Sequence, residues 1–528
     1  MRRGTVGVLS GLAALLVFAL PAGAKVKDFN FGVTAGEVKD DSARIWTSGE
    51  GSGALSAQVA TDGRFRHVVE RKRVKAKASN DGTVQTNIRG LDADERYHYR
   101  FCGAGACSDR GKFTTAPRPK ANETIRFAYS GDTDGTVEPG HAEPFYGHFD
   151  AFRAMRNEGN DFNIHLGDTI YSDSGVPGVP PALTVKEKWE KYKGNLGQKT
   201  LYRLRKSAGF YSHWDDHEFI NDFSIPEDGE ALYEAGVRAF RDYAPVRYTP
   251  KDGLYRTFRW GKNLELFFVD ERSFRDAKAS ANGTCDNPQT NEPDLAPTGP
   301  AATRNLFSVL IPSLARPVSE ACKNTINDPS RTFLGRRQFN RFLDAVESST
   351  ARWKIVMNET PIQQFYGLPY DRWEGYAFER VELLNQLQRR GVSNLLFLTT
   401  DTHAAFANVI RPRTLPNDVA PSNAPGGPAD TPYQDFISGP VATNPFWDEV
   451  DAITGEPGSG ELLSQVFFKP DPPNGMGMLC AQGGVYSYGE VVVKKNSVEI
   501  AYKDQAGQPV LDVNGQQCGP YTITPFTP

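Results

Sequence analysis

The sequence predicts a layered α/β domain that follows a small all-β sandwich, and three observations support this order. Residues 28–116 contain short runs with strand-like alternation, separated by Gly, Asp and Ser clusters. Two prolines, Pro117 and Pro119, then mark a linker. From Thr124 onward, short apolar strands alternate with helical segments, which is the pattern of a layered α/β domain.

The first domain, residues 25–118, is expected to be an immunoglobulin- or fibronectin-like sandwich. Short strands at this spacing are typical of a two-sheet sandwich of about 90 residues. The strands are predicted at residues 31–33, 42–47, 57–60, 84–88 and 97–101.

The second domain, residues 119–528, is expected to hold the alternating strands and helices. They are predicted at residues 125–129, 162–166, 264–269, 353–357, 394–399, 485–493 and 497–502 for the strands, and 144–157, 187–193, 336–348 and 376–390 for the helices. Residues 276–332 are irregular and rich in Asn, Pro and Thr. We therefore expect a long surface insertion there, held by Cys285 and Cys322.

Residues 1–24 have the features of a signal peptide. Arg2 and Arg3 give a positive start, residues 6–20 are apolar and rich in small residues, and Ala22-Gly23-Ala24 offers a cleavage site. A membrane-spanning helix needs about 20 apolar residues, and glycines interrupt this run early. We therefore expect cleavage and a secreted or periplasmic protein without a transmembrane anchor. The Arg pair leaves both the general secretory and the twin-arginine routes open.

The composition is that of an ordinary globular protein. Of the 528 residues, 39% are hydrophobic and 23% are charged, and the net charge is −4. This weak negative charge does not favour an anionic partner, so no nucleic-acid-binding surface is predicted. We expect a monomer.

The six cysteines are expected to form disulfides, because their number is even and the chain is predicted to be exported. Spacing alone does not fix the connectivity. Pairing between sequence neighbours is favoured, because each pair then falls inside one structural unit. The resulting pairs are Cys102–Cys107, Cys285–Cys322 and Cys480–Cys518. Metal binding by these thiols is disfavoured, since the sequence contains no Cys-x-x-Cys motif.

Polar side chains follow five predicted strands at the point where each ends. They are Asp132, Asp168, Asp215-Asp216-His217, Asn358, and Asp401 with His403. The carboxyl ends of strands in an open α/β sheet face the ligand crevice. A single acid in such a place is most often a turn or helix cap. Five together favour a metal site, because bound cations offset the repulsion between clustered carboxylates.

These residues resemble the five sequence blocks of the calcineurin-like metallophosphoesterases. The blocks are Gly131-Asp132-Thr133-Asp134-Gly135, Gly167-Asp168-Thr169-Ile170-Tyr171, Asp216-His217-Glu218, Asn358 and Asp401-Thr402-His403. Within that superfamily, further segments resemble the alkaline phosphatase D (PhoD)-like family. They are Trp214-Asp215-Asp216-His217-Glu218 with Asn221, Asp270–Asp276, Asp371–Tyr376, Phe31–Gly36 and Arg44–Thr47. The resemblance covers nearly the whole mature chain.

The resemblance implies a layered α/β/β/α metallophosphoesterase domain and a two-metal active site. Asp168 would bridge the two metals. One metal would also be bound by Asp132, Tyr171 and His403, and a phenolate ligand suits iron(III). The other would also be bound by Asp216, Asn358 and Asp401, an all-oxygen set that suits calcium or magnesium rather than zinc, with calcium favoured. Asp216 and His217 would both be catalytic. His217 would face the phosphate and would not bind a metal.

The sequence departs from the family pattern in the first block. Asp134 stands where the superfamily usually has His, and Gly131 or Asp132 stands where the family often has a Cys ligand of iron. Both changes remove softer ligands. A site with only divalent ions (Ca, Mn, Mg or Zn) therefore stays open beside the iron–calcium pair.

Three further residues are candidates for substrate binding: Asn221, Asp134 and Arg272. Asn221 follows the catalytic block, where a helix cap is an equally good interpretation. Arg272 follows a strand that ends at Asp270, so it could bind phosphate. A structural ion pair with Asp270 or Asp276 is the alternative for Arg272.

The expected function is hydrolysis of phosphate monoesters, diesters or both, by attack of a metal-bridging hydroxide on a small phosphate ester. A phospholipase D-like phosphodiesterase is the alternative closest in chemistry. A non-catalytic surface-binding protein is a third hypothesis, which the sequence disfavours because every block keeps a residue that can bind a metal.

Overall fold

The computed structural model of the chain describes residues 26, 28–103, 105–147, 149–418 and 431–528. The predicted signal peptide, residues 1–24, lies outside the described residues. The strands are β1 (Val33–Gly36), β2 (Ser42–Ser48), β3 (Gly53–Ala60), β4 (Val68–Ala76), β5 (Thr83–Arg89), β6 (Arg96–Cys102), β7 (Gly111–Thr114), β8 (Ile125–Ser130), β9 (Phe162–Leu166), β10 (Gly209–His213), β11 (Arg256–Trp260), β12 (Leu264–Phe268), β13 (Trp353–Met357), β14 (Leu395–Thr399), β15 (Ala405–Val409), β16 (Gln434–Ile437), β17 (Cys480–Gln482), β18 (Ser487–Val493), β19 (Val498–Asp504) and β20 (Tyr521–Ile523).

Helices connect many of these strands. They are α1 (Ala151–Asn157), α2 (Val185–Leu196), α3 (Lys199–Arg205), α4 (Ile225–Asp228), α5 (Glu230–Tyr243), α6 (Ala301–Phe307), α7 (Glu320–Ile326), α8 (Arg336–Ser348), α9 (Ala377–Arg389), α10 (Phe446–Thr454) and α11 (Ser459–Leu463). Shorter helical turns lie at Ala78–Asn80, Pro312–Ala315, Pro369–Asp371, Trp373–Tyr376 and Ser464–Phe468.

The first mixed sheet draws strands from both predicted domains. Its order is β20-β19-β18-β8-β9-β10-β1-β2-β5, and β8, β9 and β10 run parallel. Strand β1 also pairs in parallel with β10, where Ala35 lies opposite Gly209. The N-terminal strands therefore extend the sheet of the second domain, and this pairing covers an edge that would otherwise expose backbone groups.

The second mixed sheet has the order β11-β12-β13-β14-β16-β15-β17. Strands β12, β13, β14 and β16 run parallel within it. Their apolar side chains are buried on both faces, as is usual for parallel strands covered from two sides.

The main core lies between these two sheets. The ring centroids of Phe162 in the first sheet and Trp260 in the second are 4.5 Å apart. Helices α1, α2, α3 and α5 contribute to a second core with the first sheet, around Trp214. Helices α8 and α9 cover the second sheet, where Phe342 lies 6.3 Å from Phe267. The order helix–sheet–sheet–helix confirms the predicted layered α/β architecture.

The N-terminal region contributes a separate small sheet with the order β4-β3-β6-β7. Leu55 and Val59 of this sheet belong to the same buried cluster as Ile45 and Val84 of the first sheet. This region therefore consists of two sheets, but one of them continues into the second predicted domain.

Two helix predictions need correction. The helix expected from residue 144 begins only at Ala151, because Gly147 and Phe149 have φ values of +108° and +58°, which a right-handed helix excludes. Helix α5 was not predicted. Its buried residues Tyr233, Val237 and Phe240 recur at helical spacing, so the signal was present in the sequence.

The three expected cysteine pairs are all present as disulfides: Cys102–Cys107, Cys285–Cys322 and Cys480–Cys518. The second of them closes the 276–332 insertion around a small buried cluster that includes Ile326. None of the helices in the described part of the chain has the length and hydropathy of a membrane span.

Candidate metal centre

The polar residues that follow the strands meet at one edge of the two sheets. Asp132 and Asp168 each lie two residues beyond the parallel strands β8 and β9. Asp216 follows β10, Asn358 directly follows β13, and Asp401 lies two residues beyond β14. Neighbouring parallel strands end at the same edge, so the topology brings these side chains together.

Several of these residues have strained backbones. The φ values are +60° at Asp132, +49° at Asp168, +68° at Asp401 and +53° at His403. Each such residue costs about 1–3 kcal/mol, and such strain clusters at functional sites because the surrounding structure must fix it. The strand-end turns therefore adopt unfavourable backbone conformations that direct their side chains toward the centre.

The first ligand group consists of Asp132, Asp168 and His403. One potential ligand atom from each lies within 4.8 Å of the others. The Tyr171 hydroxyl lies 3.0 Å from His403 Nε2, so the phenol belongs to the same group. The structure thus brings together the four residues that sequence analysis expected around one metal.

The second ligand group shares Asp168 with the first. Asp168, Asp216 and His217 also place potential ligand atoms within 4.8 Å of one another. Arg272 Nη2 lies 4.0 Å from Asp216 Oδ1 and 3.9 Å from Asp401 Oδ1, so Asp401 lies near this group too. By this geometry Asp168 occupies the position between two potential metal sites.

The buried oxygens in this region that have no hydrogen-bond partner among the described residues include Asp132 Oδ2 and Asn358 Oδ1. Buried polar atoms are nearly always satisfied, so each needs a ligand or a cation. Carboxylate, amide, imidazole and phenol groups are donors for metal ions bound through oxygen and nitrogen. The residues present therefore fit a metal centre.

The pKa values of these residues also indicate a metal centre. Burial raises the pKa of Asp132 to about 6 and the pKa of Asp401 to about 8. Burial and the charges of Asp216 and Asp215 raise the pKa of Asp168 well above its ordinary value. Burial and the neighbouring carboxylates also raise the pKa of Tyr171. Clustered acids repel one another's ionised forms, and a cation would restore those forms.

Glu218 holds the strand-end loops in place. Its carboxylate accepts hydrogen bonds from the backbone N–H groups of Asp168 at 3.2 Å, Thr169 at 2.7 Å and Asp215 at 2.9 Å. Sequence analysis gave Glu218 no role, although it is part of the Asp-Asp-His-Glu block. One buried carboxylate thus connects the loop of Asp168 with the loop of Asp215.

Gly439 makes room for the carboxylate of Asp132. A Cβ atom at this position would lie 2.4 Å from Asp132 Oδ2, and the φ of +125° is rare for any residue with a side chain. The close approach needs glycine, and sequence analysis did not single this residue out.

His217 is held by an acid that sequence analysis missed. Its Nδ1 lies 2.6 Å from Asp173 Oδ1, and the other oxygen of Asp173 accepts the N–H of Asn221 at 2.7 Å. The Tyr171 ring packs against the imidazole with centroids 4.0 Å apart. Burial lowers the pKa of His217, but Asp216 and Asp173 outweigh it and raise that pKa to about 9. Because Asp173 lies at Nδ1, Nε2 is the nitrogen that remains for a further partner.

His403 is held in the same way by Glu449 of α10. The distance between His403 Nδ1 and Glu449 Oε1 is 2.7 Å, and Nε2 lies beside the Tyr171 hydroxyl, where the two atoms could bind one metal together. Partners of this kind fix the orientation of a metal-binding histidine. Helix α10 was not predicted, so this contact could not be expected from the sequence.

Arg272 is fully buried and already paired. Its Nε donates to Asp215 at 2.6 Å and its Nη1 donates to Asp371 at 2.6 Å. Arg275 also donates to Asp371. The ion-pair alternative for Arg272 is therefore the better description, with Asp215 and Asp371 as partners in place of the expected Asp270 or Asp276.

The other two substrate-binding candidates differ in position. Asp134 accepts hydrogen bonds from the Thr136 N–H at 2.9 Å and the Ser174 hydroxyl at 2.5 Å. Its carboxylate thus stabilises its own loop. Asn221 is exposed and lines a cavity beside the centre, where its side chain could contact a ligand.

A cavity of about 510 Å³ opens beside the centre. Asn221, Asp401 and Glu449 line its polar end. Leu295 and Phe307 from the 276–332 insertion line another part. The insertion was expected only as a surface feature, and the structure shows that it also forms a wall of this cavity.

The chain matches two family models. The model described as PhoD-like phosphatase matches residues 137–464, which is more than half of the chain. The model described as PhoD-like phosphatase, N-terminal domain, matches residues 18–117.

Individual proteins give the same result. Alkaline phosphatase D of Bacillus subtilis (strain 168) is 25% identical over 456 residues, covering 76% of this chain and 70% of that protein. A solved structure of PhoD superposes with a TM-score of 0.69 at 21% identity, over 95% of this chain and 90% of the other. A purple acid phosphatase from yellow lupin (Lupinus luteus) seeds gives a TM-score of 0.52 at 10% identity, over 94% and 73%. The layered fold, the clustered ligands and these matches agree, and the chain belongs to the PhoD-like phosphatase family of metal-dependent phosphoesterases.

Proposed function

We propose that the chain hydrolyses phosphate monoesters and diesters at a two-metal centre that Asp168 bridges. The observation that carries this proposal is the membership of Asp168 in two ligand groups, one with Asp132 and His403 and one with Asp216. A carboxylate in both groups can bind two cations at once. Two cations that share a carboxylate ligand would be suited to phosphoryl transfer.

In this proposal, Asp132, Tyr171 and His403 hold one metal together with Asp168. Asp216, Asn358 and Asp401 hold the other. Bound metals would polarise the phosphoryl oxygens and lower the pKa of a water molecule that then attacks phosphorus. The buried oxygens of Asp132 and Asn358 that lack partners among the described residues support this assignment.

His217 is proposed to act on the leaving group. Asp173 holds Nδ1 and so presents Nε2, and neighbouring carboxylates raise the pKa of His217, which favours the protonated form. A protonated Nε2 can donate its proton to the oxygen that leaves phosphorus. In this proposal the adjacent residue, Asp216, binds a metal, and His217 contacts the substrate.

The proposed metals are iron(III) at the Tyr171 position and calcium at the all-oxygen position. A phenolate bound to iron(III) gives a charge-transfer colour, so Tyr171→Phe should bleach the protein without unfolding it. A colourless, iron-free and active protein would instead favour divalent ions alone. Asp134, where the superfamily usually has histidine, supports that second outcome because its carboxylate is committed to Ser174.

The proposal extends to domain organisation and location. Residues 25–118 are assigned as the immunoglobulin- or fibronectin-like sandwich and residues 119–528 as the catalytic domain of an exported monomer. The N-terminal sequence features and the three disulfides support export.

The activity is tested with a matched pair of chromogenic substrates, p-nitrophenyl phosphate and bis(p-nitrophenyl) phosphate. We expect metal-dependent hydrolysis of both, with full loss after chelation and recovery after the metals are restored. A folded protein that binds no metal and hydrolyses neither ester would support the non-catalytic binding protein instead.

A further inference from the structure

The cavity beside the metal centre has two unlike parts. Its polar end contains Asp401 and Glu449, and Glu449 is bonded to His403 of the centre. The rest is lined mainly by apolar side chains. We call this part the apolar groove, and it is defined by Phe307, Leu310, Val450, Ile453, Leu462 and Val466.

Helix α10 joins the two parts. Phe446, Glu449, Val450 and Ile453 all line the cavity, and their spacing of three and four residues places them on one helix face. An apolar helix face normally packs onto the core. Here Phe446 packs onto the core, whereas Val450 and Ile453 line the cavity, and Ile453 is 46% exposed. Because Glu449 lies on the same face, the helix that orients His403 also forms a wall of the apolar groove.

Helix α11, the turn that follows it and the insertion complete the apolar groove. Leu462 lies in α11. The segment after α11 supplies Val466, and the insertion supplies Phe307 and Leu310. The rings of Phe307 and Phe467 meet with centroids 5.2 Å apart, which joins these two walls. Exposed large apolar side chains are ordinarily scattered singly over a surface. Here Leu310, Ile453, Leu462 and Val466 are each 36–46% exposed and gather in one cavity.

We propose that the apolar groove binds the aliphatic chain of an amphiphilic phosphate ester whose phosphate group lies at the metal centre. The inference rests on the proposed function, because it is the hydrolysed phosphate that fixes one end of the ligand. The cavity volume of about 510 Å³ is in the range of small-molecule sites, about 300–1,000 Å³. A chain of methylenes matches a long apolar wall, whereas a sugar or a nucleoside would leave its polar groups unpaired there.

The test uses p-nitrophenyl alkyl phosphate diesters with methyl to decyl chains, at concentrations below micelle formation, and the metal-loaded full chain. Full burial of each methylene would raise kcat/KM about fourfold, and the partly exposed walls of the apolar groove should reduce this to about two- to threefold over the first several carbons. Since the chain binds alike before and during the reaction, the gain should appear in KM rather than in kcat.

A matched pair of variants locates the effect. Leu462 in the apolar groove and Leu511 outside it are exposed to similar extents, 44% and 49%. Leu462→Gln should lower the ratio of kcat/KM for the decyl ester over the methyl ester about threefold or more. Leu511→Gln should leave that ratio as it is in the wild type.

The outcomes separate this inference from the proposed function. Hydrolysis of the methyl ester with no dependence on chain length would overturn the inference alone and assign the apolar groove to another occupant. A chain-length effect that survives in Leu462→Gln would also overturn it. Failure to hydrolyse any ester in the metal-loaded protein would overturn the proposed function and this inference together.

Discussion

The metal centre and the apolar groove line the same cavity but differ in the burial of their side chains and in the contacts that hold them. At the centre, acids are buried, backbones are strained, and hydrogen bonds such as those that Glu218 accepts from the strand-end loops hold those loops in place. In the apolar groove, side chains are half-exposed and held by packing alone. The difference teaches that the strand ends supply the chemistry, whereas α10 and the insertion supply the surroundings of the substrate.

The largest expected effect separates catalysis from metal binding at the centre. His217→Ala should keep both metals and lose about 10²–10⁴ in kcat, the range for a general acid. The loss should shrink for esters of nitrophenol, because a good leaving group needs little protonation, and should be greatest for alkyl monoesters. Parallel metal analysis and rates on both ester types check this.

Two results would contradict that assignment of His217. Loss of a metal from the variant would make His217 a ligand, as its position near Asp168 and Asp216 allows. Unchanged rates on both ester types would make it a bystander.

The next effect concerns the rigidity of the centre. Glu218→Ala leaves three backbone N–H groups without their acceptor, those of Asp168, Thr169 and Asp215. The expected loss in the free energy of unfolding is about 3 kcal/mol or more, since each buried unsatisfied donor costs about 1–3 kcal/mol. Urea unfolding measures it. The control is Glu187→Ala, which removes an exposed capping carboxylate of α2 and should cost less. Equal losses in the two variants would contradict the bracing role of Glu218.

The smallest effect concerns α10, the helix that contacts both the metal centre and the apolar groove. Glu449→Gln weakens the hold on His403 Nδ1 and should lower metal affinity about 10- to 100-fold. Competition with a chelator measures that affinity. Asp448→Asn is the matched control, because Asp448 is the exposed neighbour of Glu449 on α10. An affinity equal to that of the control would mean that α10 contributes only to the apolar groove.

Much of the fold could be predicted from local patterns. Helix α8 and strand β13 have the predicted bounds, since each is a strongly patterned segment between clear breaks. The pairing of β1 with β10 could not be predicted, because it joins Ala35 to Gly209 across the chain and leaves no local signal.

The site divides in the same way. Its ligand candidates were visible because each follows a strand, and topology then brings strand ends together. The acids that hold the two histidines could not be predicted, because neither belongs to a motif. Asp173 contacts His217 from a loop, and Glu449 contacts His403 from α10, and only the long-range packing of the fold brings each pair together. Gly439 is a further case, because only the fold brings it beside Asp132.

The central claim is that Asp168 bridges two metals, and the metal content per chain tests it most directly. Asp168 and Asp161 lie just beyond opposite ends of β9, which makes Asp161→Asn a matched control for Asp168→Asn. Elemental analysis should find two metal ions in the wild type and in the control, and reduced occupancy at both sites with no turnover in Asp168→Asn. A wild type with a single metal ion, or an Asp168→Asn variant that keeps two ions and full activity, would contradict the account.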